Sequence, residues 1–427
     1  MSIFIKNGTI VNACGTTKAN IFIKDDTITK ITDEIIKADL TIDAKDKLVF
    51  PGLIDMHVHF RDPGLEYKDD IKTGSMSAVA GGVTTALPMA NTNPVNDNAV
   101  ITRDMIAKAK RVGLIDLLPI GAITKGLDGG HITEMGDMIE AGAVAFSDDG
   151  LPVSSSDVMR AALEYSAHFG SFVISHCEDC SLCRSGVMHE GRVSALLGLK
   201  GMPREKEEIM TSRDMLLAKL TGGHIHIAHV SSKWSLKIIE MAKKEGVNIT
   251  CEATPHHFSF TDECLMGYDS NYKMSPPLRE ESDKIAVREA LKSGLIDVIA
   301  TDHAPHFYDD KFVEFDRASF GILGLQTLVP LTLKLVEDGV ITFERMCELT
   351  STNPAKILGL KNKGAIKEGM LADIAIIDKE LKYLYDEKLN KSKSTNSPLF
   401  GKELKGAVTH TIKSGKLVYK FPDVIFE

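Results

Sequence analysis

The chain has 427 residues and a formal net charge of −9, with 43% hydrophobic and 26% charged residues. This balance is typical of a globular protein, and the length fits one α/β barrel with a smaller unit. The negative charge disfavours nucleic acid or an anionic membrane as the main partner. Neither a membrane-spanning apolar run nor a signal peptide is evident, so we expect a cytoplasmic protein.

Short strands with turns are predicted at both ends of the chain. Ile3–Ile5 and Thr9–Val11 flank Asn7-Gly8 and predict a hairpin. Similar strand and turn patterns lie at residues 21–28, 373–378 and 408–419. We predict that the two ends pair into one small β-sandwich domain, made of residues 1–50 and 361–427.

Residues 51–360 alternate apolar strand candidates with amphipathic helical patterns, such as those at 204–220, 233–245 and 282–292. The strand candidates are residues 53–60, 83–89, 114–123, 143–146, 172–176, 224–230, 247–252 and 297–301. Eight strands joined by helices predict an α/β fold, a (β/α)8 TIM-type barrel. Its active site is expected at the carboxyl ends of the strands.

The first barrel strand carries two histidines. His57 and His59 are two residues apart, so both side chains point to the same face of the strand, towards the barrel interior. Two imidazoles in this arrangement can bind one metal ion. Taken alone, the pair fits two hydrogen-bonded core histidines equally well.

Acidic residues and histidines also follow other predicted strands. They are Asp148 and Asp149 after strand four, His176 after strand five, His229 after strand six and Asp302 after strand eight. Histidines and carboxylates that converge at one barrel mouth predict a two-metal hydrolase, because a carboxylate can bridge two cations. The pattern leaves open which of the two adjacent aspartates is the bridge and which one stabilises the turn.

Other histidines and cysteines show weaker patterns. His224 and His226 lie at the start of strand six, on the face linked to stability, and predict a structural role. His256 and His257 follow strand seven and are interpreted as packing or supporting groups. The Cys-x-x-Cys-x-x-Cys run at 177–183 lacks a second pair with ligand spacing, which favours plain thiols over a zinc or iron–sulfur site.

The motifs together resemble the dihydroorotase family of the amidohydrolase superfamily. Residues 51–61, which read PGLIDMHVHFR, look like the opening motif of that family. Further matches lie at residues 81–85, 89–94, 176–179, 300–306, 353–356 and 364–378. The resemblance covers nearly the whole chain, and it implies an enzyme that interconverts dihydroorotate and N-carbamoyl-aspartate in pyrimidine biosynthesis.

By resemblance, zinc is the expected cofactor, with one or two Zn²⁺ ions per subunit and two predicted. The implied metal ligands are His57, His59, Asp149, His176, His229 and Asp302. Many superfamily members bridge the metals with a carbamylated lysine after strand four, whereas this chain resembles the subgroup that uses an aspartate, here Asp149. Asp302 is also the implied catalytic residue, which takes a proton from water and passes it to the departing amide nitrogen.

The resemblance also implies a substrate site. Arg61, Asn93 and His306 match the positions that hold the substrate carboxylate, a role that suits the forked guanidinium of arginine. Phe320 and Gly321 match a segment whose backbone contacts the substrate ring. These five residues are therefore predicted to bind substrate.

One position departs from the family pattern, and one segment allows two structural interpretations. Ser275 stands where dihydroorotases usually carry asparagine before two prolines, and serine is shorter and has no amide group. Its predicted contact with the substrate ring is therefore open. The segment Phe307–Ser319 shows no strong periodicity and is interpreted either as a mobile lid or as an ordinary surface loop.

Two other functions stay open on the sequence. One is another cyclic-amide hydrolase, namely a hydantoinase, dihydropyrimidinase or allantoinase, although Arg61 and the missing strand-four lysine argue against it. The other is an inactive dihydroorotase-like partner of aspartate transcarbamoylase, although all six ligands are present. The partners to consider are a small-molecule substrate, a second copy of the chain in a homodimer, and aspartate transcarbamoylase.

Overall fold

The computed structural model describes residues 1–182 and 185–426, so Cys183 of the cysteine run lies outside the described residues. The N-terminal part of the chain forms short strands that belong to two sheets. They are β1 (Ser2–Lys6), β2 (Thr9–Asn12), β3 (Gly15–Lys18), β4 (Asn20–Lys24), β5 (Thr27–Thr32), β6 (Leu40–Asp43) and β7 (Leu48–Pro51).

The predicted hairpin between Ile3–Ile5 and Thr9–Val11 is wrong. β1 pairs with β4 and β6, whereas β2 pairs with β3 and β7 in the other sheet. Asn7 adopts a left-handed conformation with φ of 63°, and the backbone of Gly8 packs so closely on Val49 that a Cβ would lie 2.5 Å from it. The Asn-Gly pair therefore carries the chain from one sheet to the other.

The barrel is built from short parallel strands in the middle of the chain. The strands of this region are β8 (Leu53–Val58), β9 (Val83–Pro88), β10 (Asp116–Leu117), β11 (Ile120–Gly121), β12 (Ala145–Phe146), β13 (Val173–Ser175), β14 (Met188–His189), β15 (Gly201–Met202), β16 (Ile225–Ile227), β17 (Ile249–Ala253) and β18 (Val298–Ile299). Within the residues that the structure describes, β14 and β15 pair only with each other.

The other strands follow one another in a parallel ring. Its order is β8–β9–β10 and then β11–β12–β13–β16–β17–β18, with β10 and β11 in one strand position. A parallel bridge between Val58 and His303 joins the last position to β8. Asp55 on β8 strengthens this junction by accepting hydrogen bonds from the Thr301 N–H at 3.0 Å and the Thr301 hydroxyl at 2.6 Å. The predicted (β/α)8 barrel is confirmed.

The helices of the barrel region lie between its strands or after them in the chain. They are α1 (Ile71–Ala80), α2 (Ala99–Val112), α3 (Met135–Ala141), α4 (Ser156–His168), α5 (Arg192–Leu197), α6 (Glu205–Thr221), α7 (Lys233–Lys244), α8 (Pro255–Ser259), α9 (Glu281–Ser293), α10 (Tyr308–Lys311), α11 (Leu328–Glu337), α12 (Phe343–Cys347) and α13 (Asn353–Ile357). Asn98 starts α2 by accepting hydrogen bonds from two backbone N–H groups, and Gly113 ends it in the left-handed conformation. Within the described ranges, no helix is both long enough and apolar enough to span a membrane.

The end of the chain returns to the N-terminal strands. β19 (Ile374–Tyr385), β20 (Lys402–Lys413), β21 (Lys416–Lys420) and β22 (Asp423–Val424) extend the sheet of β7, β2 and β3 to seven strands. Isoleucines such as Ile5, Ile21 and Ile376 fill the space between this sheet and the four-stranded sheet of β1, so the two sheets form a sandwich. The domain division into 1–50 with 361–427 and 51–360 stays a prediction.

Residues 386–401, between β19 and β20, reach the mouth of the barrel. The buried Asn396 donates hydrogen bonds from Nδ2 to the carbonyls of Ala304 at 2.9 Å and Gly321 at 3.1 Å. Its Oδ1 accepts a hydrogen bond from the His306 N–H at 3.0 Å. The terminal segment therefore shapes the region in which the predicted site residues lie.

Candidate metal centre and substrate pocket

Four histidines and two aspartates form a cluster at the carboxyl ends of the barrel strands. The Nε2 atoms of His57 and His59 lie 3.4 Å from Oδ1 and Oδ2 of Asp149, respectively. The same two nitrogens lie 3.5 Å and 3.1 Å from Asp302 Oδ1. Strand alternation thus brings both rings to one pair of carboxylates.

His176, after β13, and His229, after β16, complete the cluster. His176 Nδ1 lies 3.3 Å and His229 Nε2 lies 3.5 Å from Asp149 Oδ1. These two ring nitrogens are 2.8 Å apart. Both histidine pairs therefore face Asp149, which is the position that a bridging carboxylate needs.

The cluster has the donor atoms and the unsatisfied positions that a metal centre requires. His57 Nε2 and Asp149 Oδ1 are buried and have no hydrogen-bond partner among the described residues. Imidazole and carboxylate groups are ligands that zinc takes in catalytic sites. Ligand atoms within 4.8 Å of one another occur in the sets His57–His59–Asp149, Asp149–His176–His229 and His57–His229–Asp302. Because two sets share Asp149, the residues fit a pair of cations.

Opposite charges stabilise each other within the cluster. Burial alone would raise the pKa of Asp149, but the nearby rings of His57, His176 and His229 hold that pKa well below its usual range. Burial alone would lower the pKa of His57, yet the surrounding carboxylates, with Asp149 first, raise it well above its usual value. Asp149 is therefore held as a carboxylate, the form that binds a cation.

Asp148 points away from the cluster. Its Oδ1 accepts hydrogen bonds from the N–H groups of Ile123 at 2.7 Å and Thr124 at 3.0 Å, and its Oδ2 accepts one from the Thr124 hydroxyl. Burial raises the pKa of Asp148 to about 6, against the effect of these hydrogen bonds. The two adjacent aspartates thus differ in place: Asp149 lies in the cluster, and Asp148 ties the end of β12 to the residues after β11.

Two residues outside the predicted set orient the rings of His57 and His59. Glu252 Oε1, on β17, accepts a hydrogen bond from His57 Nδ1 at 2.6 Å, and Asn91 Oδ1 accepts one from His59 Nδ1 at 2.9 Å. With Nδ1 of each ring donating to these oxygens, the Nε2 atom of each ring is the one turned towards the aspartates. The sequence feature that could have identified Glu252 as a site residue is its position near the end of a barrel strand, where the predicted ligands also lie.

A pocket of about 320 Å³ adjoins the cluster, and its lining includes Arg61, Ser275, His306 and Phe320. Arg61 Nη2 lies 3.3 Å from His306 Nε2, and Arg61 Nε donates to a backbone carbonyl at 3.2 Å. Burial, followed by the positive charge of Arg61, lowers the pKa of His306 to about 2, so this ring is neutral. The pocket therefore presents a fixed cation beside a neutral imidazole, an arrangement suited to an anionic ligand.

The structure does not bring Asn93 into this pocket. Its side chain is exposed, and its backbone N–H donates to the Pro63 carbonyl at 2.9 Å. Asn91, two residues earlier, lines the pocket instead. β9 ends at Pro88 and the chain then turns, so the motif alone could not show which asparagine faces inward.

Ser275 belongs to a chain of polar groups beside the cluster. Its hydroxyl donates to Glu178 Oε2 at 3.0 Å, and the same oxygen lies 3.2 Å from His176 Nε2. Lys206 Nζ donates to Glu178 Oε1 at 2.5 Å. The serine is thus tied to a carboxylate that also orients His176, while its contact with substrate stays a prediction.

Gly321 packs tightly behind the pocket, next to the lining residue Phe320. Its φ is 153°, and a Cβ there would lie 2.6 Å from His306 Cδ2 and 2.7 Å from the Ala304 carbonyl oxygen. Only glycine fits this place without displacing the residues around it. The backbone of residues 320 and 321 can therefore come close to the pocket.

His224, His226 and His257 contact groups other than the two aspartates. His224 Nε2 and His226 Nδ1 each lie 2.8 Å from Thr250 Oγ1, and His226 Nε2 lies 3.2 Å from Glu252 Oε2. His257 Nε2 lies 3.0 Å from a backbone carbonyl. These contacts are structural, and His226 also supports the glutamate that orients His57.

Comparison with known proteins connects this geometry with two family models and with named relatives. A model described as Dihydro-orotase-like matches residues 46–235, and one described as Amidohydrolase family matches residues 239–419. A dihydroorotase of Geobacter metallireducens is 53% identical over 380 residues, 89% of each chain. A dihydroorotase of Caldanaerobacter subterraneus is 47% identical over 423 residues, 98% of each chain.

Solved structures share the architecture at lower identity. An L-hydantoinase (dihydropyrimidinase) from Arthrobacter aurescens superimposes with a TM-score of 0.90 at 28% identity, covering 100% of this chain and 97% of that one. A D-hydantoinase superimposes with a TM-score of 0.84 at 26% identity, covering 99% and 96%. Because one fold can carry several activities, the sequence relatives are the more specific guide to chemistry.

Proposed function

The chain belongs to the dihydroorotase family, and on this premise we propose that it catalyses the reversible cyclisation of N-carbamoyl-L-aspartate to (S)-dihydroorotate and water in pyrimidine biosynthesis. The observation that carries the proposal is one pocket lined by two kinds of group. It contains potential metal ligands, and it contains Arg61 with Asn91 and His306. The potential metal ligands suit attack on a carbonyl carbon, and Arg61 with its neighbours suits recognition of a carboxylate. The proposed reaction requires both.

We expect zinc as the metal, with two ions favoured over one because both histidine pairs face Asp149. The ligands would be His57, His59, Asp149, His176, His229 and Asp302. When bound, zinc would make water a strong nucleophile at neutral pH and polarise the attacked carbonyl. Glu252 and Asn91 would keep the rings of His57 and His59 in the ligating orientation.

Asp302 transfers the proton in this mechanism. It lies against His59 and also lines the pocket, so its carboxylate can meet both water and a substrate nitrogen. In hydrolysis it takes a proton from water and gives it to the ring nitrogen as the carbon–nitrogen bond breaks. In cyclisation it takes the proton from the ureido nitrogen as that bond forms, and it returns the proton to the departing hydroxyl group.

Arg61 is expected to bind the substrate carboxylate that does not react. Replacing Arg61 with methionine should raise KM for dihydroorotate by about 10- to 100-fold, because charge-assisted hydrogen bonds to a buried anion are lost. The value of kcat should change much less, which steady-state kinetics can show. Arg103→Met, on the exposed side of α2, is the matched control and should leave both constants unchanged. A lower kcat with an unchanged KM would contradict this role.

A substrate panel tests the proposed reaction against related ones. The purified protein would be assayed with dihydroorotate, dihydrouracil, hydantoin and allantoin at equal concentrations, and with carbamoyl-aspartate in the reverse direction. We expect the highest kcat/KM for dihydroorotate and carbamoyl-aspartate. The hydantoinases among the structural relatives make a cyclic-amide hydrolase of that type the second candidate. Preference for any of the other three cyclic amides would reject the dihydroorotase proposal.

An inactive scaffold for aspartate transcarbamoylase is the remaining alternative. Metal analysis after purification without chelators distinguishes the active enzyme from the inactive scaffold, because a metal-free and inactive protein would favour the scaffold. An active enzyme can also bind that partner or form a homodimer, and light scattering with and without aspartate transcarbamoylase would test both assemblies. The expected cytoplasmic location stays a prediction.

A further inference from the structure

Two buried lysines hold one segment beside the pocket, and the first is Lys273. Its Nζ donates hydrogen bonds to the backbone carbonyls of Phe315 at 2.7 Å and Asp316 at 3.1 Å. The same group lies 4.6 Å from the centre of the Phe320 ring, which lines the pocket. The Lys273 carbonyl also accepts a hydrogen bond from the Gly321 N–H at 3.0 Å. Lys273 thus contacts both ends of residues 315–321.

Lys311, at the end of α10, holds the same stretch from another position. Its Nζ donates to the carbonyls of Ser319 at 2.8 Å and Gly321 at 3.1 Å. Its own carbonyl accepts a hydrogen bond from the Ser270 hydroxyl at 2.7 Å, three residues before Lys273. Four carbonyls within seven residues are therefore bound by two ammonium groups.

The burial of these two groups is unusual for lysine. Lys273 is 1% exposed and Lys311 is 5% exposed, and neither forms a salt bridge with a carboxylate in the described part of the chain. Burial lowers the pKa of Lys273 to about 8 and that of Lys311 to about 7. Burying an ammonium group without a counter-ion destabilises a fold, so such a pair indicates a role beyond general stability.

We propose that Lys273 and Lys311 are positioning residues, which fix residues 315–321 so that Phe320 and Gly321 present a rigid surface to the substrate. This inference rests on the proposed dihydroorotase function. It also refines the prediction for Phe307–Ser319. Residues 315–319 of that segment are held in place by the two lysines, and a lid movement of these residues would have to break the hydrogen bonds. Substrate affinity should depend on the lysines, whereas the proton transfer at Asp302 should not.

The experiment compares Lys273→Met and Lys311→Met with a buried lysine elsewhere. Lys363 is the matched control, because its side chain is only 7% exposed and its Nζ lies 2.6 Å from Asp116 on β10. The first readout is the split between KM and kcat for dihydroorotate. The second is the rate of tryptic cleavage after Arg317, whose side chain is 74% exposed within the fastened stretch.

We expect each methionine variant to raise KM by about tenfold with kcat within about threefold of wild type, and to speed cleavage after Arg317 by about tenfold. Lys363→Met should lower the melting temperature but leave KM and the cleavage rate unchanged. Wild-type values in both variants, or changes that Lys363→Met reproduces, would overturn the proposal. If Lys273→Met does not fold, the result for Lys311→Met alone tests the proposal. A wild-type protein without dihydroorotase activity rejects the proposed function, while the cleavage result still tests the fastening.

Discussion

Replacing Asp302 with alanine is expected to lower turnover by about 10³-fold, because the group that moves the proton is removed. Most of the bound metal should remain, since Asp302 approaches the cluster through one oxygen beside His57 and His59 and the other ligands are untouched. Rates measured in both reaction directions, together with the metal content of the same samples, would show this combination.

Asp302→Asn is the control for shape at this position. Asp302 has φ of 48°, a left-handed conformation that asparagine adopts more readily than alanine, so this variant keeps the local backbone. It also keeps the size of the side chain but cannot take up a proton as a carboxylate does. Both variants should therefore lose turnover equally. Near-normal turnover in Asp302→Asn would show that the proton moves through another group.

The second large effect is expected at Asp149. Replacing it with alanine removes the carboxylate that lies within 3.5 Å of all four histidine rings, so we expect metal content to fall to one ion per subunit or less. Turnover should fall by at least about 10²-fold, because the cations that activate water and polarise the carbonyl are lost or misplaced. Elemental analysis and steady-state kinetics on the same preparation measure both quantities.

Asp148→Ala separates the metal role from the structural role of this sequence pair. It removes three hydrogen bonds to Ile123 and Thr124, so we expect a loss of about 2–3 kcal/mol in the free energy of unfolding. Metal content and kcat should stay near wild type at temperatures where the variant is folded. Denaturant titrations give the stability. If Asp148→Ala lost metal while Asp149→Ala kept it, the bridge would be assigned to the wrong aspartate.

Strand periodicity predicted the part of the fold that positions the site. Most residues of the barrel strands are buried. His57 on β8 and His59 directly after β8 point to the same face, because alternate residues of an extended chain share a face. The three helices predicted at 204–220, 233–245 and 282–292 correspond to α6, α7 and α9 within one residue at each end. Regular elements obey local rules, so residues that extend from them could be assigned from the sequence.

The sequence was less informative where the chain leaves a strand. Asn91 and Asn93 both follow β9, and only the turn after Pro88 decides that Asn91 reaches the pocket. The Asn7-Gly8 pair predicts a tight hairpin by local preference, but pairing with distant strands carries the chain across the sandwich instead. Glu252 acts through His57, and such a pairing depends on the closure of the ring, which no local pattern specifies.

Asn396 lies far along the chain from the metal ligands, yet its side chain joins Ala304, His306 and Gly321. A protein truncated after α13 would therefore lose more than the strands β19 to β22. It would also lose the hydrogen bonds that Asn396 makes beside the pocket. The loop that presents His306 and the glycine behind it would lose their common tether. A single proteolytic nick within residues 386–401 is thus expected to inactivate the enzyme even in a preparation whose helical circular dichroism is intact.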